Sequence, residues 1–222
     1  MPLLALTATL ACGQLGTDLD QLVALEVFLP DSGRIEVGDT LQPAARALNG
    51  RGDPVTGPIY WNSLDTGLVV LDSASGLSYG RAVGTARLQA RVPGLRSNPE
   101  NVFVLARLDS ASAAGPIRDT VTLSAPDSVS GDLVVKAWAG TSGAPGRPVV
   151  YAAAAIYPAG ATTVKFVPRD TLQTSASGTT AAQLRFLTGP RPDSVVVTAA
   201  VRRPNGNPVP GSPVTFVVEF RP

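Results

Sequence analysis

Histidine is absent from this chain of 222 residues. No side chain therefore titrates near neutral pH without a strongly shifted pKa, and mechanisms that need a Ser–His pair, a Cys–His pair or a histidine metal ligand are excluded. The single cysteine, Cys12, excludes an internal disulfide, a CxxC redox pair and a thiolate zinc site. We therefore expect no enzyme activity, no metal site and no cofactor.

Charge is also scarce. Charged residues make up 16% of the chain, against about 25% in a typical globular protein. The formal net charge is only +1, so the chain has no general field that would gather phosphate groups. We expect no nucleic-acid partner. A hydrophobic fraction of 44% keeps the chain in the globular class.

The chain is rich in the two residues that interrupt regular structure, with 22 Gly and 20 Pro. Long helices are not expected. Short apolar or alternating runs recur instead, with turn residues between them. Residues 85–92 show the clearest alternation, since Ala86 and Leu88 lie on one face while Arg87 and Gln89 lie on the other. This pattern predicts antiparallel strands with one buried face.

The runs fall into two series of about seven strands each, which together predict an all-β fold of two tandem β-sandwich domains. The first series occupies residues 22–106, with runs at 22–28, 35–37, 40–48, 59–63, 68–71, 85–92 and 101–106. The second occupies residues 119–222, with runs at 121–123, 132–138, 148–152, 163–167, 182–186, 194–201 and 213–220. Residues 107–118 lose the alternation and are predicted to form a linker.

The chain begins with a short apolar run that ends at Cys12. Nine residues are too few to span a bilayer, so residues 1–12 are predicted to be an export signal, followed by a tether at 13–21. The run resembles a bacterial lipoprotein signal, which implies that Cys12 carries a lipid after cleavage and anchors the protein to a membrane. An ordinary secretory signal and a buried N-terminal strand remain the alternatives.

Both halves of the chain resemble bacterial immunoglobulin-like domains. The first resembles the group 2 type through GRIEVGDT at 33–40, WNS at 61–63, VVLD at 69–72, GLSYG at 76–80 and VGTARLQA at 83–90. The second resembles the invasin-like type through GRPVV at 146–150, SGTTA at 177–181 and GSPVTF at 211–216. The resemblance implies two immunoglobulin-like sandwiches, an extracytoplasmic location and a core position for Trp61 on a central strand.

Few residues suggest chemistry. The tripeptide from Arg51 to Asp53 matches a sequence that some integrins bind, but a turn between Gly50 and Pro54 explains it fully. The aspartates of the first half are scattered across turns, where Asp is favoured for its local hydrogen bonds. No calcium-loop spacing is present.

Trp138 is the candidate partner contact. In the run at 132–138, Lys136 and Trp138 share one face of the predicted strand. If Lys136 points to solvent, Trp138 does so too, and an exposed tryptophan is a common anchor at protein interfaces. A β-bulge or a contact at the domain junction would bury it instead.

These observations favour a non-catalytic lipoprotein of the cell envelope that acts as a structural or protein-interaction module. Its expected partners are a membrane, through the lipid on Cys12, and a protein. One alternative is a periplasmic accessory subunit that stabilises a larger membrane complex, for instance a respiratory or photosynthetic one. A second is a carbohydrate-binding surface module that uses Trp138 or Tyr79.

Overall fold

The computed structural model describes residues 19–123 and 129–222. The predicted export signal, the lipidation site Cys12 and residues 13–18 of the predicted tether lie outside this part of the chain. The described residues form β-strands joined by turns, with one short 3-10 helix at Pro30–Gly33. No helix among them is long and apolar enough to span a membrane.

The first sandwich contains eleven strands. They are β1 (Leu22–Phe28), β2 (Arg34–Glu36), β3 (Thr40–Leu41), β4 (Ala44–Asn49), β5 (Pro54–Val55), β6 (Tyr60–Ser63), β7 (Val69–Leu71), β8 (Ser78–Gly80), β9 (Gly84–Val92), β10 (Leu95–Arg96) and β11 (Glu100–Leu105). The predicted run at 40–48 is interrupted at Pro43, which has no N–H to donate to a neighbouring strand.

The second sandwich contains ten strands. They are β12 (Ser110–Ala113), β13 (Arg118–Thr122), β14 (Leu133–Ala139), β15 (Ser142–Gly143), β16 (Pro148–Tyr157), β17 (Thr163–Val167), β18 (Thr171–Gln173), β19 (Thr179–Thr188), β20 (Ser194–Val201) and β21 (Val214–Arg221).

The strand order of the second sandwich is that of an immunoglobulin-like domain. One sheet has the order β12-β14-β19-β17 and the other the order β13-β21-β20-β16-β18. These orders correspond to strands A-B-E-D in one layer and G-F-C in the facing layer of the immunoglobulin fold. The additional strand β13 pairs in parallel with the last strand, β21.

The first sandwich repeats this arrangement with its second strand divided in two. β1 pairs with β4, while β3 pairs with β8 and β8 with β7, so β3 and β4 together occupy the position of strand B. In the facing layer, β9 lies between β6 and β11, and β2 pairs in parallel with β11. The predicted fold of two tandem immunoglobulin-like sandwiches is confirmed.

Each sandwich has its own apolar core. In the first, Leu88 and Val102 are buried with Val69 between the layers. In the second, alternate residues of β20 and of its neighbour β21 face those of β14 in the other sheet, and Phe216 is buried among them. Trp61 is buried as expected. Its strand, β6, is not central, because among the described strands it pairs only with β9.

The predicted linker at 107–118 must be corrected. Residues Ser110–Ala113 form β12, which pairs with β14, and Ala111 is buried in the second core. Leu108 also has no solvent exposure and belongs to that core. The alternation of Ser and Ala in β12 gives no clear strand signal, because alanine is only weakly apolar, although it fills a narrow position between two sheets.

Candidate functional site

A cluster of buried charges lies where the two sandwiches meet. Glu36 is the last residue of β2 in the first sandwich and has no solvent exposure. Arg147 directly precedes β16, and Arg203 follows β20, so both belong to the second sandwich. The Arg147 guanidinium is also buried, whereas the Arg203 side chain is 14% exposed. We call Glu36, Arg147, Arg203 and the connecting residues Ala106 and Leu108 the junction cluster.

The Glu36 carboxylate is the centre of the junction cluster. Its Oε1 lies 2.9 Å from Nη1 of Arg147 and accepts a hydrogen bond of 3.2 Å from the Leu108 backbone N–H. Its Oε2 lies 3.9 Å from Nε of Arg203. One side chain of the first sandwich therefore contacts the connecting segment and two cations of the second sandwich.

The arginines also hold the connecting segment. Nη2 of Arg203 donates to the Leu108 carbonyl at 2.7 Å, and Nη2 of Arg147 donates to the Ala106 carbonyl. Planar guanidinium groups suit this role because they donate in several fixed directions at once. The segment between β11 and β12 is thus bonded on both its N–H and its C=O groups, unlike a flexible linker.

Two weaker contacts surround the junction cluster. Nη1 of Arg34 donates to the Gly146 carbonyl at 3.3 Å, and Nδ2 of Asn205 donates to Oδ2 of Asp39 at 2.9 Å. Each joins a residue of the first sandwich to a loop of the second. The loops before β3, β16 and β21 therefore meet the connecting segment at the junction. We infer that these four loops give the two sandwiches a defined relative orientation.

Burial controls the electrostatics of the junction cluster. Loss of solvent raises the pKa of the Glu36 carboxyl, and the charge of Arg147 opposes this by lowering it. Burial lowers the pKa of the Arg147 guanidinium, while Glu36 raises it. Because arginine keeps its proton under ordinary conditions, a neutral Glu36 would leave a buried cation without a counter-charge. We conclude that the pair is ionised at neutral pH.

The junction cluster has no local signature in the sequence. A glutamate in the strand run 35–37 suggests a solvent-facing position, and an arginine beside proline suggests an exposed turn. Glu36 and Arg147 are 111 residues apart in the chain, and no local pattern connects them. The one available signal is that Glu36 and Arg147 lie in GRIEVGDT at 33–40 and GRPVV at 146–150, two segments that carry the resemblance to immunoglobulin-like domains.

Trp138 lies on the outer face of β14 with Lys136, as strand parity predicts. Both side chains are partly exposed, while Leu133, Val135 and Ala137 are buried. Nε1 of Trp138 donates to Oγ of Ser112 at 3.1 Å, and the Lys136 ammonium lies 3.7 Å from the centre of the ring. One face of the indole is therefore covered by a cation. The role of Trp138 as a partner contact remains a prediction.

The tripeptide from Arg51 to Asp53 and the aspartate Asp72 lie at turns, as the sequence predicts. Asn49 accepts hydrogen bonds from the N–H groups of Arg51 and Asp53, and the Arg51 guanidinium is paired with Asp20 at 3.1 Å. Asp72 accepts hydrogen bonds from the N–H groups of Ala74 and Ser75, and the bonds from Ser75 lower its pKa.

The pKa of Asp65 is lowered by its hydrogen bonds with Arg87. Within residues 19–123 and 129–222, no three Asp, Glu or Cys side chains are grouped to hold a metal ion.

The fold and the junction define this chain as a protein with two tandem immunoglobulin-like sandwiches. No protein-family model matches it, and no curated protein is similar in sequence. Solved structures with similar folds include the Yersinia pseudotuberculosis adhesin InvE, with 21% identity and a TM-score of 0.42. That similarity covers 90% of this chain and 60% of the InvE chain.

Two further solved structures are similar. Domains 4 and 5 of the S-layer protein SbsC are 13% identical, with 91% of this chain and 100% of that chain covered and a TM-score of 0.34. The D0-D1 domain of intimin is 14% identical, with 87% and 94% covered and a TM-score of 0.28. With TM-scores below 0.5, these similarities carry no conclusion about function.

Proposed function

We propose that this chain is a non-catalytic module of the cell envelope that holds its second sandwich at a set distance and orientation from an N-terminal lipid anchor on Cys12. The junction cluster is the observation that carries the proposal. A buried ion pair between domains is costly to form and to separate, so it favours one relative orientation over many. A module with this property is suited to presenting a protein-binding surface.

The direction of the strands supports the same proposal. β2 ends at the junction, and β1 and β4 pair so that Leu22 and Asn49 lie at the opposite end of the first sandwich. In the second sandwich, β16 starts next to Arg147 and runs away from the junction to Tyr157. Ser194 of β20 pairs with both Tyr157 and Glu219, so the end of β21 also lies far from the junction. The start of the first sandwich and the end of the second therefore lie at opposite ends of the molecule.

An anchor on Cys12 would be close to the first sandwich. Six residues, 13–18, separate Cys12 from Leu19 in the sequence. A fully extended chain covers at most about 3.6 Å per residue, so the anchor lies within about 25 Å of Leu19. The second sandwich would then be held away from the membrane by the whole length of the first.

Mass spectrometry of the native N-terminus tests the anchor. We expect the mature chain to begin at an acylated Cys12 and to fractionate with membranes, and a Cys12→Ser variant to lose the lipid and leave the membrane fraction. Met1 or an unmodified Cys12 thiol on the mature chain would contradict the proposal.

Gentle extraction from native membranes, followed by identification of the proteins that co-purify, tests the interaction role. Stable co-migration with one large complex on a native gel would favour an accessory subunit over a module that acts by itself. We do not propose carbohydrate binding through Trp138, because Lys136 covers one face of its ring.

A further inference from the structure

The hairpin between β9 and β10 places two arginines directly opposite each other. Arg91 pairs with Arg96, so both side chains lie on the same outer face of the sheet, and both are exposed. Pro93 and Gly94 form the turn that joins the strands, and Gly94 has a φ of +82°, as a type II turn with proline before glycine requires. This short turn fixes the register that brings the two arginines opposite each other.

Tyr60 extends this pair into a row of three side chains. It is the first residue of β6 and pairs with Arg91 across the sheet. The guanidinium carbon of Arg91 lies 5.8 Å from the centre of the Tyr60 ring, which is a cation–π distance, while 41% of the tyrosine stays exposed. The ring therefore supports Arg91 beside Arg96 without neutralising its charge.

A cavity of about 590 Å³ lies beside this row. It is lined by Tyr60, Arg91, Arg96 and the hairpin residues 92–95, and no acidic residue of the described chain contributes to the lining. We call this cavity the arginine pocket. Its volume is in the range of cavities that bind small molecules or parts of larger ones. It therefore combines space for a ligand with two cations and no counter-charge.

Comparable arginines of the first sandwich have carboxylate partners. Arg46 on β4 faces Glu26 on β1 at 2.5 Å, and Arg87, on the same outer face of β9 as the arginine pocket, is paired with Asp65 at 2.9 Å. None of the ion pairs among the described residues includes either arginine of the pocket. Like charges directly opposite each other on neighbouring strands destabilise a sheet, and a bound anion would remove that cost.

A phosphate group fits this arrangement. Each guanidinium is a planar fork of N–H donors that binds phosphate oxygens in pairs. Because phosphate oxygens are arranged tetrahedrally, two arginines on adjacent strands can contact one phosphate from different sides, and the space beside the Tyr60 ring can hold the polar group attached to it. The net charge of the whole chain is only +1, so such attraction is local to the pocket.

The position of the arginine pocket indicates a lipid headgroup as the source of the phosphate. On β9, Gly84 pairs with Val104 near the junction, and Arg91 follows seven residues later, so the pocket lies about 24 Å from the junction end of the strand. The hairpin strand β10 lies beside β1, the first strand of the sandwich. The pocket is therefore at the end of the first sandwich where the segment from Cys12 enters.

We propose that the arginine pocket binds the phosphate group of an anionic phospholipid headgroup. The proposal rests on the proposed anchor, because a lipid on Cys12 holds this end of the first sandwich within reach of the membrane surface. The bound phosphate neutralises the two opposed arginines. It gives the first sandwich a second contact with the bilayer, which strengthens attachment and limits rotation of the domain about its tether.

Vesicle sedimentation tests the proposal on the full chain carrying Cys12→Ser, so that no lipid on Cys12 contributes. Vesicles of phosphatidylcholine are compared with vesicles of phosphatidylcholine and phosphatidylglycerol in equal parts. The apolar N-terminal run can contact both kinds, so the difference between them isolates the effect of charge. We expect the anionic vesicles to bind about tenfold more tightly or better, and Arg91→Ala with Arg96→Ala to remove this preference, at about fivefold per arginine.

The matched control is Arg169→Ala with Arg191→Ala, which removes two exposed arginines of the second sandwich and changes the net charge equally. It should keep the preference for anionic vesicles. A parent chain that binds both kinds of vesicle equally, or equal losses in the two double variants, would overturn the proposal.

Arg91→Lys with Arg96→Lys separates a phosphate site from general attraction, because lysine keeps the charge and lacks the planar fork. This variant should bind anionic vesicles about threefold more weakly or worse than the parent chain, and full binding would overturn the pocket as a site. Inorganic phosphate that binds at the pocket of a chain with no preference for anionic vesicles would overturn the lipid as its source. These outcomes are separate from the anchor, since an unmodified Cys12 in the native protein would contradict the anchor, whereas a missing vesicle preference contradicts the pocket alone.

Discussion

Glu36 is the residue at the centre of the contact between the two domains. It places a carboxylate where no solvent reaches it, between Arg147 and Arg203 of the other sandwich. Such a pair contributes little net stability when it is compared with apolar residues of the same volume, but removal of one partner leaves the other charge buried without compensation. We therefore expect the cluster to affect how the domains are arranged more than how stable each one is.

Glu36→Gln should destabilise the folded chain by about 3–5 kcal/mol, because the Arg147 cation would stay buried without a counter-charge. Urea unfolding followed by circular dichroism measures this loss. Glu26→Gln is the control, since the Glu26–Arg46 pair at 2.5 Å is exposed on the surface and should cost less than about 1 kcal/mol. Equal losses in the two variants would show that the Glu36 pair is not effectively buried.

Gly76 illustrates a second dependence on one residue. Its φ of +77° is unfavourable for other residues, and an added Cβ would lie 2.6 Å from Nε1 of the Trp61 indole. The turn between β7 and β8 can therefore cover Trp61 only because Gly76 has no side chain.

Gly76→Ala should destabilise the first sandwich more than Gly52→Ala does. Gly52 also has a positive φ, of +85°, but an added Cβ there meets nothing within 4 Å. Both variants carry a conformational cost of about 1–2 kcal/mol, and only Gly76→Ala must also displace the indole. Thermal unfolding and the fluorescence of Trp61, in a Trp138→Phe background, measure the difference. Indistinguishable variants would mean that the indole moves without cost.

At the scale of the elements, both sandwiches use the same order of strands with different local sequences. The first divides its second strand at Pro43, and the second begins with β12, whose residues are only Ser and Ala. β12 closes the edge of the sheet beside β14 and brings Ala111 into the core. The boundary between the domains is therefore the short segment 106–109, not the twelve residues predicted at 107–118.

Ala111→Asp tests whether β12 belongs to the second sandwich. A carboxylate at this buried position should destabilise the second domain by about 2–4 kcal/mol. Ala114→Asp, at an exposed position after the strand, should change the unfolding free energy by less than about 0.5 kcal/mol. Urea denaturation of both variants decides the matter, since a true linker would tolerate Asp at either position.

At the scale of the whole molecule, the junction cluster turns two independent cores into one elongated unit. The described N-terminal residues lie at one end and the C-terminal strand β21 ends at the other. Loops from both sandwiches meet at the junction, and the connecting segment is bonded to Glu36, Arg147 and Arg203. We expect this arrangement to limit the motion of one domain relative to the other.

Distances between spin labels, one in each sandwich, measure that motion. Labels on Asn101→Cys and Gln173→Cys in the Cys12→Ser chain should give one narrow distance distribution. Arg203→Ala removes a contact with both Glu36 and Leu108 and should broaden the distribution. Arg191→Ala, in an exposed turn away from the junction, should not. A broad distribution in the parent chain would contradict a defined orientation.

The sequence by itself determined the class of fold, because alternation of apolar and polar residues within a strand is a local property. Residues 85–92 show this in the first sandwich, and the parity of Lys136 and Trp138 shows it in the second. The frequent Gly and Pro residues mark the turns between the strands, because their effect on the backbone is also local. β12 has no such signal, because the contrast between Ser and Ala is too small to produce a clear pattern.

Only the tertiary structure decided what joins and covers the sandwiches. Glu36 and Arg147 lie in segments that look like an ordinary strand and an ordinary turn, and their burial follows from the approach of two domains that are distant in sequence. The sheet β13-β21-β20-β16-β18 likewise depends on which strands become neighbours, since no single run shows that β16, β20 and β21 lie side by side. Contacts between distant residues are set by packing, and packing is decided by the whole chain at once.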